Sequence, residues 1–409
     1  MSERRARRWL AFGVLGVAVV LVAALVGTAR SAPTLSGPET FTINVDGHNP
    51  AANENFISYF PNIVRVHAGD TVVFDHLGNG EPHTVALGTL ANAAVSAFEK
   101  LSPAQQSNPP KSVIALDAKV PQLLPNGPGD AIQASANPCF VASGSPPAKS
   151  SCPKIAQPAF DGTQSFYDSG WLNSQQKFTV RLSSSTRPGT YRFMCLLHRE
   201  GMSGQLVVVP SSSAVASPAA QYAAGQKKLA SDEAKLAPAV ALERQGKPPI
   251  PGLTLPPGSV LAGSGAPGSH AGGITEFGPK VFKIPVGGSV TWWIIGIHSV
   301  TFNSTKGVNN DIRSVAPDGS VHINVKAVVP AGGPGEPSKP PKGGKGPISF
   351  VTVASKSWNG QGFLNSGVFG NSFPPVIEGY KLTFTRKGTY NYLCTVHDGM
   401  KGTIVVGGG

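Results

Sequence analysis

Two short segments far apart in the chain place a thiol, an imidazole and a thioether in the same order. The first reads Cys195-Leu196-Leu197-His198-Arg199-Glu200-Gly201-Met202 and the second Cys394-Thr395-Val396-His397-Asp398-Gly399-Met400. In both, a tyrosine-bearing alternating stretch runs into the cysteine, and a Gly-containing turn leads on to an apolar run. A further imidazole is available upstream each time, His83 in Glu81-Pro82-His83-Thr84-Val85 and His298 in Ile297-His298-Ser299-Val300. Of only 4 methionines, Met1 is the initiator and Met194 adjoins Cys195, while Met202 and Met400 each follow one of these cysteines. Two imidazoles and a thiolate in a plane with a weak axial thioether make the ligand set of a type 1 copper site. Thiolate and thioether suit Cu(I), and imidazole suits both oxidation states. Zinc prefers four strong ligands, and this set offers three. Core residues that bind nothing would have little reason to recur twice in one order.

The elements that must hold these residues also repeat. Phe166-Tyr167-Asp168-Ser169-Gly170-Trp171 is echoed by Phe363-Leu364-Asn365-Ser366-Gly367-Val368, and the Arg187 to Cys195 stretch by Arg386 to Cys394. Upstream, Val64 to Phe74 matches Phe282 to Trp292, each an alternating strand, a Gly turn and a second alternating strand. Two homologous β domains are expected, roughly 37–209 and 275–407. The 49 glycines and 37 prolines among 409 residues disfavour a helical bundle and supply turns. Between the domains, 211–274 reads as an Ala/Pro/Gly-rich linker. Within it Ser217-Pro218 offers a helix start, and Tyr222, Leu229 and Leu236 fall on one face of a short docked helix. A long insertion, about 88–165, begins with a helical stretch from Leu90 to Leu101. It holds Cys139 and Cys152, which would close a disulfide outside the cytoplasm.

With these motifs in place, the sequence resembles the cupredoxins, the family of plastocyanin, amicyanin and pseudoazurin. The resemblance covers both domains apart from the insertions. It implies an all-β fold of two tandem Greek-key β-sandwiches, with an N-terminal hydrophobic helix and a partly helical linker beside them. It also implies one type 1 copper in each domain, held by His83, Cys195, His198 and Met202 and by His298, Cys394, His397 and Met400. His76 competes with His83, but it aligns with a polar non-ligand of the family and lacks the Thr-Val strand that follows His83. The spacing between His397 and Met400 is like amicyanin's short loop; that between His198 and Met202 is one residue longer. Two-domain nitrite reductases and multicopper oxidases carry a histidine next to the cysteine and His-x-His pairs. Here Met194 and Leu393 precede the cysteines, and none of the 9 histidines forms His-x-His. The implied role is electron transfer to redox partner proteins and not catalysis; copper storage, buffering or delivery is the alternative.

Residues 1–32 give the compartment. Arg4, Arg5, Arg7 and Arg8 precede an uncharged stretch from Trp9 to Val26, which reads as an export signal or a retained membrane anchor. The protein is therefore expected outside the cytoplasm, membrane-attached or secreted. Those arginines account for much of the excess of 34 basic over 22 acidic residues. The remaining lysines are scattered, which excludes a nucleic-acid footprint.

Overall fold

Alternation builds the strands. In Thr71–His76, Val72, Phe74 and His76 point inward while the residues between them are half-exposed; Lys177–Arg181 and Lys401–Val406 alternate in the same way. The turns before Thr71–His76 and Ser289–Ile294 pass through Gly69 and Gly287 at φ +94° and +80°, a region that favours glycine. The computed structural model describes residues 37–409 except 48, 50–52, 79–80, 107, 126–128, 138–156, 251, 265–271, 305–307, 309–311, 318, 333–348, 371–375 and 408–409. The expected N-terminal helix within 1–32 and the Cys139–Cys152 disulfide lie outside the described residues. Among those described, no helix is long and apolar enough to cross a membrane.

The strands form two pairs of sheets. In the N-terminal half a four-stranded sheet, in the order Tyr59–Phe60, Thr40–Val45, Thr71–His76, Lys177–Arg181, faces a five-stranded one. The second sheet runs Ile63–Val66, Arg199–Val208, Gly189–Cys195, Ala86–Leu87, Tyr167–Asp168. Phe41, Ile43, Val72 and Phe74 from one sheet and Val64, Phe193, Leu206 and Val208 from the other close a single core. The C-terminal half repeats this topology. Gly273–Gly278, Ser259–Ser264, Ser289–Ile294 and Val376–Phe384 lie side by side in its first sheet, extended by Ser349–Trp358. The second sheet runs Val281–Ile284, Lys401–Val406, Gly388–Leu393, Thr301–Phe302, Leu364–Asn365. Both halves pair two six-residue strands of the first sheet in parallel, Thr40–Val45 with Thr71–His76 and Ser259–Ser264 with Ser289–Ile294.

The stretch 211–274, expected as a linker with a short helix, is more ordered than that. It folds as a 27-residue helix, Pro218–Arg244, and gives the strand Ser259–Ser264 to the C-terminal sheet. That strand is buried at every residue, so its sequence shows no alternation. The helix starts as its residues suggest, with Ser217 Oγ accepting the Ala220 N–H at 3.3 Å and Pro218 in the first turn. It packs on both halves. Leu229 and Leu236 join Phe56 and Phe60, and Ala239 and Val240 join Ile274. Gly225 lets it approach closely, since a Cβ there would lie 2.5 Å from Pro61 N. A second bond between the halves is the strand Glu54–Asn55, which leaves the N-terminal half to pair with Gly273–Gly278 at the edge of the other sheet.

The insertion contributes a helix at Thr89–Phe98 and another at Lys111–Asp117. Ala91, Ala94 and Val95 pack with Trp171, Met194 and Leu196, so the insertion covers the flank of the cysteine strand. Val321, from the hairpin of Arg313–Val315 with Val321–Ile323, joins the same cluster from the C-terminal half. Gln133 fixes it there, its Nε2 donating to Val321 O and its Oε1 accepting the Val321 N–H at 3.0 Å.

Candidate metal centre

Each cysteine ends an inner strand, Gly189–Cys195 or the Gly388–Leu393 strand just before Cys394, where the chain turns out of the sheet. The upstream histidine enters through an isolated bridge, His83 with Leu172 and His298 with Phe369. In the N-terminal half His83 Nδ1 lies 3.8 Å from Cys195 Sγ. In the C-terminal half His298 Nδ1 and His397 Nδ1 lie 3.9 and 3.7 Å from Cys394 Sγ. The ligand atoms of His83, Cys195 and His198 all fall within 4.8 Å of one another, as do those of His298, Cys394 and His397. Met202 and Met400 are buried in the same cores as Cys195 and Cys394.

This arrangement fits a metal ion held by two nitrogens and a sulfur. Among the described residues the buried His198 Nδ1 has no hydrogen-bond partner, an arrangement that costs free energy unless something else takes up the lone pair. The thiols are primed as well. Burial alone would push Cys195 up, but the His198 and His83 rings outweigh it and hold the thiol well below its ordinary range. Cys394 is held down in the same way, by His298 and His397 against burial. Conversely, burial opposes the charged form of His198 and His397, yet the facing thiolate and Glu81 raise both to about 10. Each sulfur also accepts a backbone N–H, from Thr84 to Cys195 and from Ser299 to Cys394, both at 3.4 Å. Val396 N–H adds a second donor to Cys394 at 3.4 Å.

The outer nitrogens are held differently in the two halves. His83 Nε2 donates to Asp46 Oδ2 at 3.2 Å, and Asp46 Oδ1 is fixed by the N–H groups of Gly47 and Phe56 at 2.6 and 2.5 Å. This outer partner sets the ring and raises its basicity; burial works against it, but Asp46 and Cys195 bring His83 up to about 9. His76 stands beside them with both ring nitrogens buried and without a hydrogen-bond partner among the described residues; burial, helped by His83, lowers it to about 3. The outer edge of His298 instead meets backbone, for a Cβ on Gly263 would lie 2.0 Å from its Nε2. Burial then dominates and His298 is lowered.

Asp46, Glu81 and Asn55 were not legible as site residues. Asp46 sits in no motif, and only its position beside the Thr40–Val45 strand brings it to His83. Glu81 lies two residues before His83 and could have been singled out by that proximity alone. The longer N-terminal loop is propped from outside. Arg199 adopts φ +53°, and its Nε and Nη2 donate to Asp117 Oδ1 at 2.8 and 2.5 Å at the end of the Lys111–Asp117 helix. The insertion thus fixes the loop between His198 and Met202.

Comparison with known proteins finds a family match within the C-terminal half. The family described as copper binding proteins, plastocyanin/azurin family, matches residues 376–407, which carry Cys394, His397 and Met400. Among solved structures the chain is similar to reduced auracyanin from Roseiflexus castenholzii, at 19% identity over 43% of this chain and 100% of that one, with a TM-score of 0.22. It is likewise similar to auracyanin A, a blue copper protein from Chloroflexus aurantiacus, at 19% identity over 42% and 100%, TM-score 0.21. A purple cupredoxin from Nitrosopumilus maritimus matches at 17% identity over 36% and 97%, TM-score 0.15. No curated protein matches the sequence.

Proposed function

We propose that the chain is an electron-transfer protein of two tandem cupredoxin domains, each holding one mononuclear type 1 copper. The first spans 37–209, and the second extends to 407 and takes in the strand Ser259–Ser264. The observation that carries this is the pair of triads, His83–Cys195–His198 and His298–Cys394–His397, each with its ligand atoms within 4.8 Å of one another, with Met202 and Met400 buried in the same cores as the two cysteines. Bound copper would supply a one-electron couple. The chain's part is to hold the imidazole nitrogens and thiolate in place before the ion arrives, so that little moves when the charge changes. Asp46 and the backbone donors to the sulfurs fix the ligands and set the polarity around them. Residues 1–32 act as an export signal or anchor that places the protein outside the cytoplasm, where redox partner proteins exchange electrons with it. Adding Cu(II) to the purified chain tests the reading. An intense thiolate-to-copper band and two bound coppers per chain are expected; a colourless protein whose thiols both remain titratable would refute it.

A further inference from the structure

The carboxylate of Glu81 reaches both centres. His198 Nε2 donates to Oε1 at 2.9 Å, and His397 Nε2 lies 3.7 Å from Oε2. The three side chains are almost closed off from solvent, at 13%, 12% and 4% exposure for His198, Glu81 and His397. Asn55 Nδ2 donates to Oε2 as well, from the strand that crosses into the C-terminal sheet. Pro82 follows immediately and restricts the backbone of Glu81. Both rings direct Nε2 toward this one group, and His397 turns its Nδ1 to its own Cys394 Sγ at 3.7 Å. A buried carboxylate between two domains is costly to keep unless its partners satisfy it. Here those partners are one candidate ligand from each centre.

We propose that Glu81 joins the two centres into a single redox unit, with electrons passing between them along His198–Glu81–His397. The proposal rests on the copper reading of both triads. With copper bound at both centres, one electron would pass from Cu(I) at one, leaving Cu(II), to Cu(II) at the other, giving Cu(I). No bond forms or breaks, and each Nε2 proton stays on its imidazole, directed at the carboxylate. Glu81 is thus a positioning residue that supplies a continuous polar bridge across the domain boundary.

The test uses the full chain loaded with two coppers and reduced by a pulse of less than one electron per molecule. The expected result is a redistribution phase whose rate does not depend on protein concentration, and which is missing in Cys195→Ser and Cys394→Ser. Glu81→Ala should slow this phase by an order of magnitude or more while both thiolate bands persist, and Glu81→Gln should slow it less. Asn55→Ala, which loosens the carboxylate without removing it, should slow it in the same direction. In the all-Cu(I) protein the Nε2–H resonances of His198 and His397 should both move in Glu81→Ala, an effect that a structural role elsewhere would not produce. An unchanged rate with both bands intact, or resonances that stay in place, overturns the role of Glu81 alone. Loss of both bands in the wild-type chain overturns the copper reading beneath it.

Discussion

His83 and His298 occupy the same place in two copies of one topology, yet their surroundings push them in opposite directions. Asp46 faces His83 and brings it up to about 9, whereas His298 meets glycine backbone and is lowered by burial. The sulfurs differ too, Cys195 accepting the Thr84 N–H and Cys394 accepting those of Ser299 and Val396. An anion beside an imidazole favours the more positive metal state, and donors on the thiolate withdraw charge that would otherwise support it. Both differences act in the same sense: the N-terminal centre should have the lower reduction potential, and an electron shared between the two should rest at the C-terminal one. Repetition of a ligand set therefore does not imply repetition of its properties, because the partners behind the ligands are not part of the motif.

The largest test of two separate centres is removal of either thiolate. Cys195→Ser and Cys394→Ser should each abolish one centre's band and its bound copper, and the double variant both, as read by metal analysis and visible absorption. If either single variant lost both, the centres would be one site and not two. Next in size is Asp46→Asn. It should weaken copper at the N-terminal centre by about 10–100-fold and raise its potential toward that of its counterpart, leaving the C-terminal centre unmoved in a redox titration.

In the metal-free protein, pH separates the two rings by NMR titration. His83 should stay protonated to about 9, while His298 should already be neutral at neutral pH. The raised pKa of His83 gives stability that is complete below ~6.5 and is lost as pH rises through about 9. The lowered pKa of His298 has the opposite sign, since the unfolded chain takes up the proton first and stability falls as pH drops below ~6.5. Asp46→Asn should bring the His83 titration down toward that of His298. The smallest effect belongs to the thioethers. Met400→Leu should shift its centre's potential more than Met202→Leu shifts the other, because the loop from His198 to Met202 is one residue longer than that from His397 to Met400. Equal shifts in single-centre variants would show that the loop difference is without consequence.

The repeated segments read correctly because alternation and Gly turns are local. Val64 to Phe74 and Phe282 to Trp292 show their strands and turn directly, and the cysteine, histidine and methionine lie in one short run. Ser259–Ser264 is hidden because a strand buried on both faces has no period, and its sequence resembles linker. Asp46, Glu81 and Asn55 were hidden because their roles exist only across sequence distance. Glu81 meets His397 from the other half of the molecule, and no spacing rule connects them.

The strand Glu54–Asn55 also bears on the order of assembly. Asn53 Nδ2 donates to Thr275 O across 222 residues, and the backbone pairs beside it are nearly as distant. During synthesis this strand emerges long before the sheet it completes, so the C-terminal half inherits a finished edge from a segment already made. A C-terminal half expressed by itself would present Gly273–Gly278 as an unpaired edge, a template for another chain. The two copies are thus similar in design but not interchangeable, and the direction of translation suits the one in which the donor comes first.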